Sequence, residues 1–198
     1  MDGLSEDVVA ETIPYGLGRI VYGDAEPEQQ LTLNAAEVRI AETHALDRHN
    51  RSRASGLEDT KHVYDRQPDH DYKLAINIDR IGAAAEMAYC KFMKFYWEPR
   101  IDNFKEADVG EVIQIRGAAS RERGNISLIV RKDDNPQHYY VLVEVELDSD
   151  LDEKRCWVRG WIYGEDAMRN EWWGNKGKGK PCWWVPQEAL IPFYVSKD

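Results

Sequence analysis

The sequence predicts a layered α/β fold of the α+β kind. One central helix packs on a mixed sheet, and a helical extension precedes it. Three observations predict this. Ile78, Ile81, Ala85, Ala88, Phe92 and Phe95 recur at steps of three and four residues, the period of a helix face. Beyond residue 110 the apolar period falls to two, the period of strands. Upstream, Asn34 followed by Glu37 opens a separate helical pattern.

Residues 1–30 form an acidic arm with Pro14, Gly16, Gly18, Gly23 and Pro27, and hold one short strand at 18–22. A helix runs from Asn34, its cap, to about Arg53, and stops near Gly56. Arg48, Arg51 and Arg53 suit the C-terminal end of that helix, where the backbone dipole favours cations. The polar stretch 57–77, with Pro68, reads as a loop. The central helix begins at Ile78 and is ended by Pro99. Strands are expected at 112–116, 126–132, 139–147 and 156–163, separated by charged turns. A short helix at 165–172, a Gly/Lys loop at 174–181 and a last edge strand at 183–185 complete the chain. Two units result: an acidic arm plus helix at 1–77, and a core domain at 78–198.

Bulk properties narrow the function classes. A chain of 198 residues is long enough to bury a real core, and 42% hydrophobic with 31% charged residues is the balance of a globular protein. The apolar runs are too short to span a bilayer, so no membrane partner is expected. Acids stand at the N-terminus where a signal peptide needs a basic region, which predicts an intracellular protein. Cys90, Cys156 and Cys182 are widely spaced and read as reduced, partly buried thiols. A net charge of −10 opposes broad attraction to nucleic acid. The acidity is uneven, however. Residues 1–77 hold 8 Lys and Arg against 15 Asp and Glu, while residues 78–198 hold 18 against 21. A local basic groove in the second part is compatible with these counts.

The chemistry-bearing residues lie between 81 and 116. Glu86 interrupts an otherwise apolar helix, one turn after Gly82 and directly after three alanines. Asp108 stands in an Asp-Val-Gly turn before a strand. Gln114 and Arg116 alternate with Ile113 and Ile115, so they share the opposite strand face. Two carboxylates and an amide oxygen suit a hard divalent ion, and a neighbouring cation suits a phosphate transition state. Each residue also has a plainer reading: an exposed helix glutamate, a turn aspartate and a solvent-facing strand edge.

This arrangement over about residues 78–147 resembles the core of the PD-(D/E)XK nuclease superfamily, the restriction-endonuclease-like fold. The resemblance implies that Glu86, Asp108 and Gln114 bind Mg²⁺ or Mn²⁺ and that Arg116 stabilises the transition state. The superfamily has Glu-x-Lys where this chain has Gln114-Ile115-Arg116. Glutamine is a weaker ligand than a carboxylate, and arginine cannot be a general base. A second register, with Glu144 and Glu146 after Asp133 or Asp134, lacks a cation at its last position. Residues 78–195 are also similar to a group of phage-encoded proteins with a degenerate Asp…Gln-x-Arg motif. They share the Gly160-Trp161-Ile162 and Trp184-Val185-Pro186-Gln187 segments. That likeness implies residence in the cytoplasm of a bacterial host cell.

Other signals are weaker. The five histidines lack metal-type spacing, and Asp69-His70-Asp71 reads as a solvated loop. Trp172, Trp173, Trp183 and Trp184 flank Lys176, Lys178 and Lys180, a pattern able to follow a phosphate backbone and stack bases. It equally describes a hairpin with core tryptophans. Arg121 and Arg123, with Arg131 and Lys132, extend the basic set. The leading expectation is a metal-dependent nuclease acting on nucleic acid, DNA ahead of RNA. The alternative is a non-catalytic acidic phage protein on the same fold: an inhibitor of a host defence, or a virion or assembly component. A homodimer would suit either.

Overall fold

The computed structural model describes residues 10–12, 19–21, 30–54, 68–100, 106–120, 126–146, 152–176 and 180–193. It confirms an α+β fold. Strands β1 (Ala10–Thr12) and β2 (Arg19–Val21) pair antiparallel as a small ribbon. Strand β3 (Gln30–Leu33) leads into helix α1 (Ala35–Ala54), which is followed by the long helix α2 (Pro68–Phe92). Then come β4 (Ile113–Ala119), β5 (Ser127–Arg131), β6 (Tyr139–Val145) and β7 (Lys154–Tyr163). A single helical turn α3 (Gly164–Ala167), β8 (Trp173–Gly174) and β9 (Cys182–Pro186) follow.

The larger sheet has the order β3-β7-β6-β4, antiparallel except for the parallel pair β6 and β4. The smaller sheet has the order β5-β9-β8. Parallel neighbours need a crossover, and here the crossover carries β5 into the smaller sheet. The molecule therefore stacks helices on one face of the large sheet and the small sheet on the other. Val141, Val143 and Val145 of β6 point into the core shared with α1 and α2. Tyr140 and Leu142 point into the second core, with Leu128, Val130 and Val185 of the small sheet. The period of two in β6 thus feeds two cores at once.

Local chemistry explains the helix starts. Asn34 Oδ1 accepts the amides of Ala36 and Glu37, and Glu37 returns a carboxylate oxygen to the Asn34 amide at 2.8 Å. This reciprocal box satisfies amides that the helix itself cannot. Helix α2 starts ten residues before the expected Ile78, with Pro68 at its first position, where a missing amide hydrogen has no consequence. Asp69-His70-Asp71 accordingly opens a helix and is not a loop. The helix ends at Phe92, well before Pro99, through a left-handed Lys94. Strand β9 is interior to its sheet, not the edge strand expected at 183–185.

Helices α1 and α2 run antiparallel, tied by Glu37 to Lys91, Arg48 to Glu86 and His49 to Asp79. The expected boundary at 77/78 falls inside α2, and β3 is a strand of the large sheet. Helix α2 lies close to β4. A methyl group built on Gly117 would come within 2.8 Å of the Ile81 backbone oxygen and side chain. The Ala85 side chain lies 3.1 Å from the same position, so small side chains on both elements set the distance.

Candidate functional site

The site gathers at the N-terminal end of β4. Glu86 projects from the buried face of α2 and is itself buried. Arg48 reaches it from α1 through two parallel hydrogen bonds, Nη1 to Oε1 at 2.9 Å and Nη2 to Oε2 at 3.1 Å. Arg48 Nη2 also donates to His44 Nε2 at 3.0 Å. A guanidinium has no acceptor, so His44 Nε2 carries a lone pair and the ring is neutral. Burial, aided by Arg48, lowers the His44 pKa in agreement. Arg48 lies on the α1 face that carries Ala41, His44 and Ala45, all buried.

Asp108 is brought back beside β4 by the turn at 109–113. Gly110 takes φ +60°, a left-handed conformation open to glycine, and Val109 bridges Ile113. The Asp108 carboxylate accepts the Ile115 amide at 2.7 Å. Burial and the nearby Glu86 charge push its pKa up to about 6, against the pull of Arg116, the Ile115 amide and Arg48. Glu86 and Asp108 thus feel each other, with a guanidinium on either side.

Gln114 and Arg116 occupy the other face of β4, away from the α2 core that holds Ile113 and Ile115. Gln114 Nε2 donates to the Glu106 carbonyl at 2.7 Å and lies 3.5 Å from His138 Nδ1. A carbonyl can only accept, so the amide orientation is fixed and Oε1 faces Arg116 Nη1 at 3.3 Å. Arg116 also donates to Asp134 at 2.8 Å and to the Ile129 carbonyl at 3.2 Å, and lies over the Tyr140 ring. Burial, with Arg116 adding and Asp134 opposing, lowers the His138 pKa. A cleft of about 330 Å³ opens alongside, lined by Arg100, Glu106, Ala107, Gly110, Glu111 and His138. Two of its lining residues connect it to these groups: the Arg100 carbonyl lies 3.4 Å from Arg48 Nη2, and Gln114 holds the Glu106 carbonyl.

The structure therefore sets Glu86 and Arg116 within the electrostatic field of Asp108. It places Gln114 on the opposite strand face, with both ends of its amide engaged. Glu86 and Asp108 suit a hard divalent ion as donors, and Arg48 is the group that would have to yield Glu86. Among the described residues no group of three or more His, Cys, Asp and Glu side chains is placed to hold a metal ion. In the second register, Glu144 pairs with Arg159 at 2.7 Å and Glu146 pairs with Arg155, so both carboxylates are engaged.

At the small sheet, Lys176 lies 5.9 Å from the centre of the Trp184 ring, and Trp184 Nε1 donates to the Gly174 carbonyl at 3.0 Å. The rings of Trp173 and Trp183 meet at 4.5 Å, tilted by 57°, with Trp173 exposed. Trp172 and Trp183 pack against the second core. Lys180 is exposed, whereas Lys178, Arg121 and Arg123 lie outside the described residues.

Sequence reasoning did not bring Arg48, His44 or His138 to the site, and gave Asp134 only to the second register. For Arg48 a signal existed: spaced at four and seven residues from His44 and Ala41, it falls on the inward stripe of its helix. Among the described residues no helix is long and apolar enough to cross a membrane. Comparison with family models, curated proteins and solved structures returned no match.

Proposed function

We propose that this chain is a metal-dependent nucleic-acid phosphodiesterase of the phage type, working in a bacterial host cytoplasm. The observation that carries the reading is that the buried Glu86 and Asp108 lie within each other's electrostatic reach, with Arg48 bonded to Glu86 and with Arg116 and Arg48 both acting on Asp108. The resemblance of the segment around them to the PD-(D/E)XK core supports it further.

Glu86 and Asp108 would hold Mg²⁺ or Mn²⁺. Such an ion, when bound, neutralises phosphate charge and acidifies a bound water. The chain's own residues do the rest. The Ile115 amide fixes Asp108, and its carboxyl releases its proton more readily as pH rises past about 6. The Arg116 guanidinium is a positive charge within the field of Asp108, braced by Gln114 and Asp134. The cleft lined by His138 and Glu111 offers room for a substrate group beside Glu106, whose carbonyl Gln114 holds. Lys176 and Trp184 lie on the small sheet, where a strand could be followed by charge and stacking.

A second reading is favoured by one specific feature. Both oxygens of Glu86 are already taken by Arg48, as in a purely structural ion pair. With the net charge of −10, that describes a non-catalytic acidic protein whose partner is a host or phage protein. Incubation with labelled single- and double-stranded DNA and RNA separates the two readings, with Mg²⁺, with Mn²⁺ and with chelator. Cleavage that needs the ion supports the enzyme. No cleavage of any substrate in Mg²⁺ or Mn²⁺ removes it and leaves the binding protein.

A further inference from the structure

One residue of the cleft is buried and still borders the opening. His138 is 7% exposed and lines it together with Glu111. The two are neighbours by topology. Strands β4 and β6 are parallel, and the Tyr139 amide donates to the Val112 carbonyl at 2.8 Å. The residues that lead into the two strands, Glu111 and His138, therefore meet at the same end of the sheet.

The imidazole is held in one state. The Gln114 amide nitrogen, which can only donate, faces Nδ1 at 3.5 Å. Nδ1 turns a lone pair to it, so the neutral ring carries its proton on Nε2. Burial lowers the His138 pKa, in agreement with a neutral ring. Nε2 has no partner among the described residues. Unlike the Tyr89 hydroxyl and the Trp161 indole nitrogen, it is not sealed from solvent. A rigid, buried mount thus presents one N–H donor to the cleft.

Around that donor stand Arg100, Glu106 and Glu111. Glu106 faces Arg100 at 3.9 Å, whereas Glu111 has no hydrogen bond or ion pair among the described residues. One guanidinium against two carboxylates leaves the lining negative, which disfavours a phosphate or any other anion. A simple amine has no acceptor for the His138 N–H. The ligand that fits is neutral and carries an acceptor beside donors on one edge. A carboxylate takes two parallel donors with its two oxygens. Among the common bases guanine alone offers an acceptor, O6, followed by two adjacent donors, N1–H and N2–H. The cleft volume of about 330 Å³ suits one base.

We propose that the cleft is a guanine-binding site. His138 Nε2–H donates to O6, the Glu111 carboxylate accepts N1–H and N2–H, and the planar Arg100 guanidinium covers one face of the ring. The base comes from one of two sources, a free guanine nucleoside or a single strand from which it is splayed out. In a duplex that edge is already paired. The strand as source rests on the phosphodiesterase reading, and narrows its substrate to single strands that contain guanine.

The test is NMR titration of the full chain with guanosine, inosine, adenosine, cytidine and uridine. Guanosine should bind about tenfold more tightly than adenosine, cytidine or uridine. Inosine lacks the N2 amino group and should fall between. Glu111→Gln sets a donor against a donor and should erase the preference for guanosine. Glu111 is exposed in a turn, so this variant does not depend on the core. His138→Phe should weaken guanosine by about tenfold, and Glu111→Gln carries the test alone if circular dichroism shows that His138→Phe is unfolded. Thymidine oligonucleotides with and without one central guanine separate the sources. Tighter binding of the guanine strand, displaced by guanosine, supports the strand; guanosine binding with no difference between strands supports the free nucleoside. Equal binding of all nucleosides, binding of none, or a guanosine preference that survives Glu111→Gln overturns the guanine site. Ion-dependent cleavage is measured separately, so the phosphodiesterase reading stands or falls by that assay alone.

Discussion

Asp108 and Ile115 are joined by one short hydrogen bond, in which the carboxylate accepts the backbone amide at 2.7 Å. Strand β4 is the outer strand of the large sheet, so this amide faces outward from it. Asp108 covers it, and the Ile113 carbonyl accepts the amides of Asp108 and Val109. The same residue that shields an open sheet edge thus offers a carboxylate to the site.

That double role sets a pH dependence. The Asp108 carboxyl is raised from 3.8 to about 6 in the folded chain, chiefly by burial. It keeps its proton longer than the unfolded chain does, so its support for folding is complete below about pH 4 and is lost as pH climbs through about 6. Asp108→Asn keeps an acceptor for Ile115 but carries no charge. At pH 8 it should stabilise the protein by on the order of 1–3 kcal/mol, and near pH 4 the gain should vanish. Thermal melts of both proteins across pH check this. Mn²⁺ binding should be lost in the same variant, a trade of function for stability.

Gly117→Ala should loosen the packing of α2 on β4. The new methyl would approach the Ile81 oxygen to 2.8 Å and the Ala85 side chain to 3.1 Å. Backbone cannot yield as a side chain can, so a loss of about 1–3 kcal/mol is expected. Chemical denaturation measures it, and an unchanged midpoint would show that the helix and strand can separate freely.

Gln114→Glu would supply the acid that the PD-(D/E)XK pattern has at this place, yet the structure predicts a penalty. One carboxylate oxygen would gain Arg116, while the other would face the Glu106 carbonyl now bonded at 2.7 Å by the amide. Two acceptors opposed in a buried position should destabilise the fold by about 1–3 kcal/mol. The loss should persist in Mn²⁺, because the residue lies on the strand face opposite Glu86. Melts with and without Mn²⁺ decide, and full rescue by the ion would place residue 114 among its ligands.

The Lys loop makes a separate prediction. Changing Lys176, Lys178 and Lys180 to Gln should weaken nucleic-acid binding without unfolding the chain. For every lysine that neutralises a phosphate, its removal should lower the slope of affinity against salt by about one unit. Identical slopes for parent and variant would make the segment a connector.

What the sequence made readable was what depends on near neighbours. The Asn34 and Glu37 box is complete within four residues, and it formed as expected. The alternation of Gln114 and Arg116 with isoleucines also needs no distant partner, and their shared face followed. The start of α2 was missed because Pro68 and the polar residues after it look alike in a loop and in a first helical turn. The departure of β5 into another sheet was unreadable, since a period of two is the same in either sheet. Arg48 and Glu86 are 38 residues apart, and only the packing of two helices makes them a pair. The Gln114 amide likewise took its orientation from Glu106, outside any strand pattern.

The buried cysteines give the molecule its own clock. Cys90 lies one turn beyond Glu86 on α2, Cys156 is on β7 of the large sheet, and Cys182 is on β9 of the small one. Burial pushes the Cys90 and Cys156 thiols up to about 12 and raises Cys182 as well, so none presents a thiolate to reagents while its surroundings stay closed. Each layer of the fold therefore carries one latent tag. Timed alkylation, read as mass added at each site, would record the order in which helix, large sheet and small sheet come apart.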